Sequence, residues 1–286
     1  MSSDTALLSH RMLVPRTPII VRPMGRWPEL GLSELWSFRE LFWFLVWRDL
    51  KVRYRQTLLG VLWVVLQPLM TMAVFAVVLG KLVGVPTDGI PYPLFAYTGL
   101  LPWMFFSSAV TTGAVCLVGN ANLITKVYFP RILLPAAAVT ARLVDFLVGS
   151  LGLVALMIYY RVSPAPGLLF IPVAVLIELI LAVGIAAIFA NVHVRYRDIG
   201  FVVPVALQLG MFVTPVVYRW TLVPARWRWV IMANPMTGIV EMYRSALIGY
   251  ALPWKPFAVS VVVALVMIAL ALFESRRAEG ILEDIV

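Results

Sequence analysis

Residues 168–192 read LLFIPVAVLIELILAVGIAAIFANV, twenty-five positions with a single charge, Glu178. As a helix rising about 1.5 Å per residue, this stretch exceeds a hydrocarbon core about 30 Å thick. Lipid offers the backbone no hydrogen-bond partner, so such a run must close its own bonds as a helix. Working outward, comparable apolar runs occupy residues 58–83, 92–118, 133–160, 201–218 and 257–273. Gln67-Pro68 interrupts the first of them. The expectation is an all-α integral membrane protein with six transmembrane helices. Composition agrees: 62% of the 286 residues are hydrophobic, 13% are charged, and the mean hydropathy is +0.94. A soluble domain has about 25% charged residues. A chain with half of that cannot cover a water-facing surface.

The net charge of +9 does not point to nucleic acid. The basic residues sit mainly between the apolar runs and near the N-terminus, where anionic membrane lipids meet them. Cys116 is the one cysteine and lies in an apolar run, which excludes an intrachain disulfide and a cysteine-based metal site. His10 and His193 have no ligand-like neighbours in sequence, and His193 reads as an interfacial residue at a helix end. The first apolar cluster, 41–47, is flanked by Arg39, Glu40, Arg48 and Asp49 and does not resemble a signal peptide.

Residues 1–32 read as a cytoplasmic tail and 33–56 as an amphipathic interfacial helix with Ser33 as its cap. At 100° per residue, Glu34, Ser37, Glu40, Arg48, Lys51 and Arg55 fall on one side, and Trp36, Trp43, Trp47, Leu50 and Tyr54 on another. Phe44 intrudes on the polar side, while Arg39 and Arg53 leave it. A Trp- and cation-rich helix of this kind suits the membrane surface; packing on a partner as a water-soluble helix is the other reading. The membrane domain spans 57–274, and 275–286 form a cytoplasmic tail. Within 220–250, two short amphipathic stretches, 227–236 and 237–247, part at Asn234-Pro235. Each is too short to cross, so they are expected to form a re-entrant helical hairpin before the last span. With both termini inside, fifteen Lys and Arg lie on the cytoplasmic side and seven outside, as positive-inside orientation requires.

No phosphate loop, H-E-x-x-H or G-x-S-x-G motif is present, and clustered carboxylates for glycosyl chemistry are lacking. No cofactor is expected on this chain; if ATP and Mg drive it, a partner ATPase must bind them. Two cytoplasmic loops carry distinctive chemistry. GNANLITKVYFPR at 119–131 reads as a short helix stopped by Pro130, presenting Ile124, Val127, Tyr128 and Phe129. NVHVRYRD at 191–198 fits simple positive-inside anchoring as well as a contact role.

Those two loops, together with WRDLKVRYRQT at 47–57, LGVLW at 59–63, Gln67-Pro68 and NPMTG at 234–238, resemble the polysaccharide-export ABC transporter permeases. That class exports O-antigen, capsule and teichoic-acid-type polymers, and the resemblance runs in family order from about residue 35 to 249. It implies a homodimer joined to two copies of a cytoplasmic ABC ATPase, moving a lipid-linked polysaccharide across the bacterial inner membrane. It implies that the helix bearing Trp36, Trp43, Trp47 and Tyr54 gates the cytoplasmic mouth. It also implies that Asn122, Lys126, Tyr128, Phe129 and Arg131, with Arg195, Arg197 and Asp198, couple to the ATPase. The first and fifth spans of both subunits would line the conduit.

A glycan offers hydroxyls and apolar C–H faces, so aromatic platforms suit its sliding. Trp63, Phe75, Phe212, Tyr218, Trp220, Trp227 and Trp229 are the conduit-lining candidates. The last three fit an interfacial aromatic belt equally well, and Trp63 and Phe212 fit plain helix packing. Three intramembrane charges remain. Arg142 and Glu178 each lie about ten residues inside their spans, roughly 14 Å deep, and a charge there needs a partner. The expectation is an Arg142–Glu178 clamp with Asp145 as second acceptor. An ion-coupled carrier, with Asp145 or Glu178 titrating, and an integral-membrane enzyme acting on lipid-linked sugars are the alternatives.

Overall fold

The computed structural model describes residues 32–55 and 62–282 and is helical along most of that length, with no strand among the described residues. Eleven α-helices follow one another: α1 (Leu32–Ser37), α2 (Arg39–Tyr54), α3 (Leu62–Phe75), α4 (Tyr92–Gly119), α5 (Ala121–Ile124), α6 (Leu133–Tyr159), α7 (Ile171–Arg195), α8 (Ile199–Val213), α9 (Arg228–Ala233), α10 (Pro235–Ile248) and α11 (Trp254–Leu282). Two of them run on from shorter turns: α3 continues through π-helical Ala76–Val83, and a 3₁₀ turn, Pro166–Phe170, leads into α7. Five helices are long and apolar enough to cross a membrane: Leu62–Val83, Tyr92–Gly119, Leu133–Tyr159, Pro166–Arg195 and Trp254–Arg277. The sixth expected span is shorter, because α8 stops at Val213 after fifteen residues. Thr214 makes the last helical bond, to the Gly210 carbonyl at 2.9 Å, and Pro215 denies the next N–H.

The centre of the bundle is α4. It starts on Pro93 in its first turn, and Asn120 closes it by returning its side-chain Nδ2–H to the Cys116 carbonyl at 2.8 Å. Phe95, Ala96, Tyr97, Leu100, Ala109 and Val110 are fully buried along it. Small residues let the neighbouring backbones come close, the device that packs helices where lipid removes the hydrophobic drive between them. A Cβ on Gly113 of α4 would stand 2.6 Å from the Ala186 Cβ of α7, and one on Gly184 of α7 2.7 Å from the α11 backbone at Met267 and Ile268. Ala137, Ala138 and Ala141 of α6 are buried, as are Ala174, Ala182, Ala186, Ala187 and Ala190 of α7.

Around this core, α3 and α8 are bare. Leu62, Trp63, Met70, Val74, Val77, Val78 and Leu82 of the first are exposed, as are Phe201, Val202, Val205, Leu209 and Phe212 of the second. By contrast α10 is buried on every side from Met236 to Ile248. It was expected to be amphipathic; its polar residues instead find partners inside the protein. Asn234 caps it by accepting from the Met236 N–H at 3.0 Å, Pro235 occupies the first turn, and Gly249 ends it at φ +80°.

At the other end of the chain the expected 33–56 helix forms as two pieces that break at Phe38. Its first turn already includes Leu32, so Ser33 is not the cap. Residue 56 and the tail 1–31 lie outside the described residues. The 275–282 part of the expected C-terminal tail continues α11.

Candidate functional site

One face of α2 packs on the bundle and the opposite face is bare. Leu45 and Val46 are buried in a cluster with Cys116 and Leu117 of α4, Leu133, Leu134, Ala137 and Ala138 of α6, and Ala190 of α7. Trp43 and Trp47 stand exposed on the other side at 56% and 70%, and Trp36 of α1 is exposed at 72%. An apolar aromatic face with no protein against it is what a membrane surface accepts.

The end of α2 is pinned to α6. Arg53 donates to Asp145 Oδ2 at 2.7 Å, and the Tyr54 hydroxyl donates to Asp145 Oδ1. Burial, and after it the bond to Asp145, push the Tyr54 phenol up to about 12. Arg142 donates to the same carboxylate at 3.2 Å and to the Thr112 hydroxyl of α4 at 2.7 and 3.1 Å. This network walls a cavity of about 310 Å³ between α2, α3, α4 and α6. Trp63, Gln67, Ser107, Ser108 and Phe146 also line it.

The expected Arg142–Glu178 clamp is not formed. Asp145 sits one helical turn from Arg142 and takes it. Glu178 is fully buried and accepts from the Tyr243 hydroxyl of α10 at 3.0 Å. The partner of each charge lies on an element that sequence spacing alone could not place beside it.

Both distinctive loops lie at the end of the bundle where α2 packs, since α4 and α7 bring Leu117 and Ala190 into one cluster there. Asn122, Lys126 and Tyr128 are exposed, Arg131 is half-buried, and Arg195, Arg197 and Asp198 are exposed. Phe129 departs from expectation. At 4% exposure it faces inward and packs with Leu45, Leu133 and Ala137, so it is not presented to a partner. The loop's helix is also shorter than expected, only Ala121–Ile124. His193 lies in the last turn of α7, at a helix end as expected, and its side chain is buried.

At the opposite end, Arg244 of α10 is completely buried. It pairs with Glu241 at 2.7 Å and donates to the carbonyls of Pro215 (2.7 Å), Val216 (2.5 Å) and Tyr218 (3.3 Å). Its guanidinium lies 4.0 Å from the Phe95 ring centre. Arg244 thus ties three carbonyls of the strap after α8, alongside Tyr92, which donates to the Val217 carbonyl, and Asn234, which donates to the Thr214 hydroxyl, both at 2.8 Å. Tyr218 turns its hydroxyl back to the Phe212 and Val213 carbonyls at 3.1 and 3.2 Å, closing the end of α8. Of the other aromatic candidates, Trp63 (51%), Phe212 (56%), Trp227 (53%) and Trp229 (68%) are exposed. Phe75 is half-buried against the core, and Trp220 is half-buried with the Arg228 guanidinium near its ring.

Residues 40–248 match the ABC-2 type transporter family model, a span that runs from α2 to the end of α10. The chain belongs to the ABC-2 type transporter family. It is 34% identical to the O-antigen export system permease protein RfbA of Myxococcus xanthus, over 87% of this chain and 96% of that one. It is 27% identical to the O-antigen export system permease protein RfbA of Klebsiella pneumoniae, over 80% and 89%. The polysialic acid transport protein KpsM of Escherichia coli is 25% identical over 71% and 80%.

The ABC-2 match takes in both loops, the pinned helix and the buried α10. Several residues that organise these parts were given no role from the sequence: Arg53, Thr112, Glu241, Tyr243 and Arg244. Arg53 left a trace, because it breaks the polar stripe of its helix and so points at something other than water. Glu241 and Arg244 left another, an opposite-charge pair at i and i+3 in an apolar stretch. Thr112 and Tyr243 left none.

Proposed function

We propose that this chain is the membrane permease subunit of an ATP-driven ABC exporter that moves a lipid-linked polysaccharide across the bacterial inner membrane. The observation that carries the reading is the match along 96% of an O-antigen export permease, which leaves no major part of that protein without a counterpart here. Two copies of the chain work with two copies of a separate ATPase that binds ATP and Mg. α8 serves as the fifth of six spans, and the Arg244-held strap completes its crossing. α9 and α10 form the re-entrant hairpin, and both termini are cytoplasmic.

The bare faces of α3 and α8 leave room for a conduit made with the second copy, lined by the first and fifth spans of both subunits. α2 lies at the cytoplasmic surface as a gate, its tryptophans against lipid headgroups. Tyr128 and the exposed cations Lys126, Arg195 and Arg197 meet the ATPase at the end of the bundle that α2 also occupies. The test is deletion of the gene in its host. Lipid-linked polysaccharide should accumulate inside and disappear from the cell surface, with restoration by this chain. An unaltered surface polymer in the deletion strain would overturn the proposal.

A further inference from the structure

Several polar side chains at span depth find their partners within the protein. Thr140 and Thr214 each donate to the carbonyl one turn back, at 2.8 and 2.9 Å. The amide of Asn191 donates to Ser275 at 3.2 Å, and that of Asn234 to Thr214 at 2.8 Å. Gln208 of α8 does not. It stands exposed, and its amide has no hydrogen-bond partner among the described residues. It lies nine residues beyond the start of the helix at Ile199. That is roughly 14 Å at 1.5 Å per residue, near the middle of a hydrocarbon core about 30 Å thick.

Hydrocarbon offers an amide nothing to bond, so lipid is the wrong neighbour for this face. The same helical stripe carries Phe201, Val205 and Phe212, all exposed. Packing against a second copy is the other way to satisfy the amide. Helix pairs in membranes close on small side chains, and two phenylalanines here hold a facing backbone away. The small residue of this part of α8, Gly210, is spent on Trp103 of α4, where a Cβ would stand 3.3 Å from the ring. An aqueous space remains. An amide set between two aromatic rings suits a sugar: the rings cover its apolar C–H faces, and the amide both donates to and accepts from its hydroxyls.

We propose that Gln208 contacts the glycan on the conduit wall, exchanging hydrogen bonds with successive hydroxyls as the polymer slides past Phe201 and Phe212. The glycan rests on the export reading; the hydrated face rests on the position of the amide alone. Because the amide is bonded to nothing in the protein, replacing it by an apolar side chain of similar size leaves the fold intact. The loss then falls on transport, whereas a residue that held the structure would lose stability as well.

The first test places a nitroxide on Gln208→Cys and, separately, on Leu209→Cys, about 100° further round the helix. Both are made in the full-length Cys116→Ser chain and held in lipid nanodiscs. A water-soluble nickel chelate should relax the label at 208 more than oxygen does, and the label at 209 should show the reverse order. Oxygen ahead of nickel at 208 puts the face in lipid, and spin exchange between the labels of two copies puts it in a dimer contact; either result overturns the proposal. The second test is export in a strain lacking the gene. Gln208→Leu should slow the arrival of polymer at the surface by about tenfold, the worth of one or two net hydrogen bonds, at unchanged abundance and melting temperature. Gln208→Asn, which keeps an amide, should export faster than Gln208→Leu. Wild-type export by Gln208→Leu, or a melting temperature that falls along with export, overturns the proposal and leaves the export reading standing. A hydrated label at 208 in a chain whose deletion leaves the surface polymer unaltered removes the glycan contact and the export reading together.

Discussion

Replacing Arg244 by Met tests how far one buried side chain holds the strap that follows α8. The guanidinium is fully buried, and four oxygens depend on it: Glu241 Oε1 and the carbonyls of Pro215, Val216 and Tyr218. Removing one partner of a buried ion pair costs about 3–5 kcal/mol, because the other charge is left without compensation. The orphaned carbonyls add about 1–3 kcal/mol apiece where no water reaches them, but the strap can relax outward, so these costs do not sum. A loss of about 4 kcal/mol should lower the melting temperature of the detergent-purified chain by about 10 °C, at the 2–4 °C per kcal/mol expected of a domain of this size. The double change Arg244→Met with Glu241→Leu removes the stranded carboxylate but not the stranded carbonyls. It should recover about half of the loss. Thermal unfolding followed by size exclusion reads both values. A single variant that melts within about 2 °C of wild type would show that the strap is held by something else, and the reasoning about this end of the molecule would fall.

Phe129→Ala should destabilise the protein by about 3–5 kcal/mol because a buried ring is removed from a packed cluster. Tyr128→Ala, with the side chain 63% exposed, should leave the melting temperature nearly unchanged while lowering export per ATP hydrolysed; equal thermal losses in the two variants would contradict their placement. A double-mutant cycle between Arg142 and Glu178 should give a coupling below about 0.5 kcal/mol, since they do not touch, while the Arg142 and Asp145 cycle should exceed that value. Gly238→Ala should reduce the yield of folded protein, because its Cβ would stand 2.3 Å from the Pro256 carbonyl oxygen and the Ser260 hydroxyl. Normal yield there would mean that α10 and α11 separate more easily than their fit implies.

How much of this was legible in the sequence depends on the range of the interaction that decided each part. The long spans were legible because lipid imposes a one-dimensional rule, about 20 apolar residues in a row. Their ends agree within a few residues for α4, α6 and α7. Asn234-Pro235 was legible as a break because a cap and a helix-starting proline are local devices. The same rule failed at α8, which was expected to reach residue 218 and stops at Val213. Hydropathy cannot see that the next carbonyls are claimed by Arg244, twenty-six to twenty-nine residues away. It failed again at α10, where polar residues were taken to mean a wet face. Glu241, Arg244 and Tyr243 are polar because they partner one another, the strap and Glu178.

The pairing of the intramembrane charges shows why such errors concentrate at the working parts. Depth alone put Arg142 and Glu178 at similar levels and made them natural partners. Rotation about each helix axis decides the matter instead, and it is set by the small-residue contacts of α4 with α6 and α7. Those contacts turn Arg142 toward Thr112 and the end of α2, and turn Glu178 toward α10. The charge that couples α2 to the bundle is thus Asp145, the residue first taken as a spare acceptor. It binds Arg53, which with Arg39 was one of two cations that did not fit the helix stripe. A misfit in a periodic pattern was the trace of a tertiary contact, ninety-two residues away along the chain. Where a helix is both amphipathic and attached, the residue that breaks the stripe is the one to examine for the attachment.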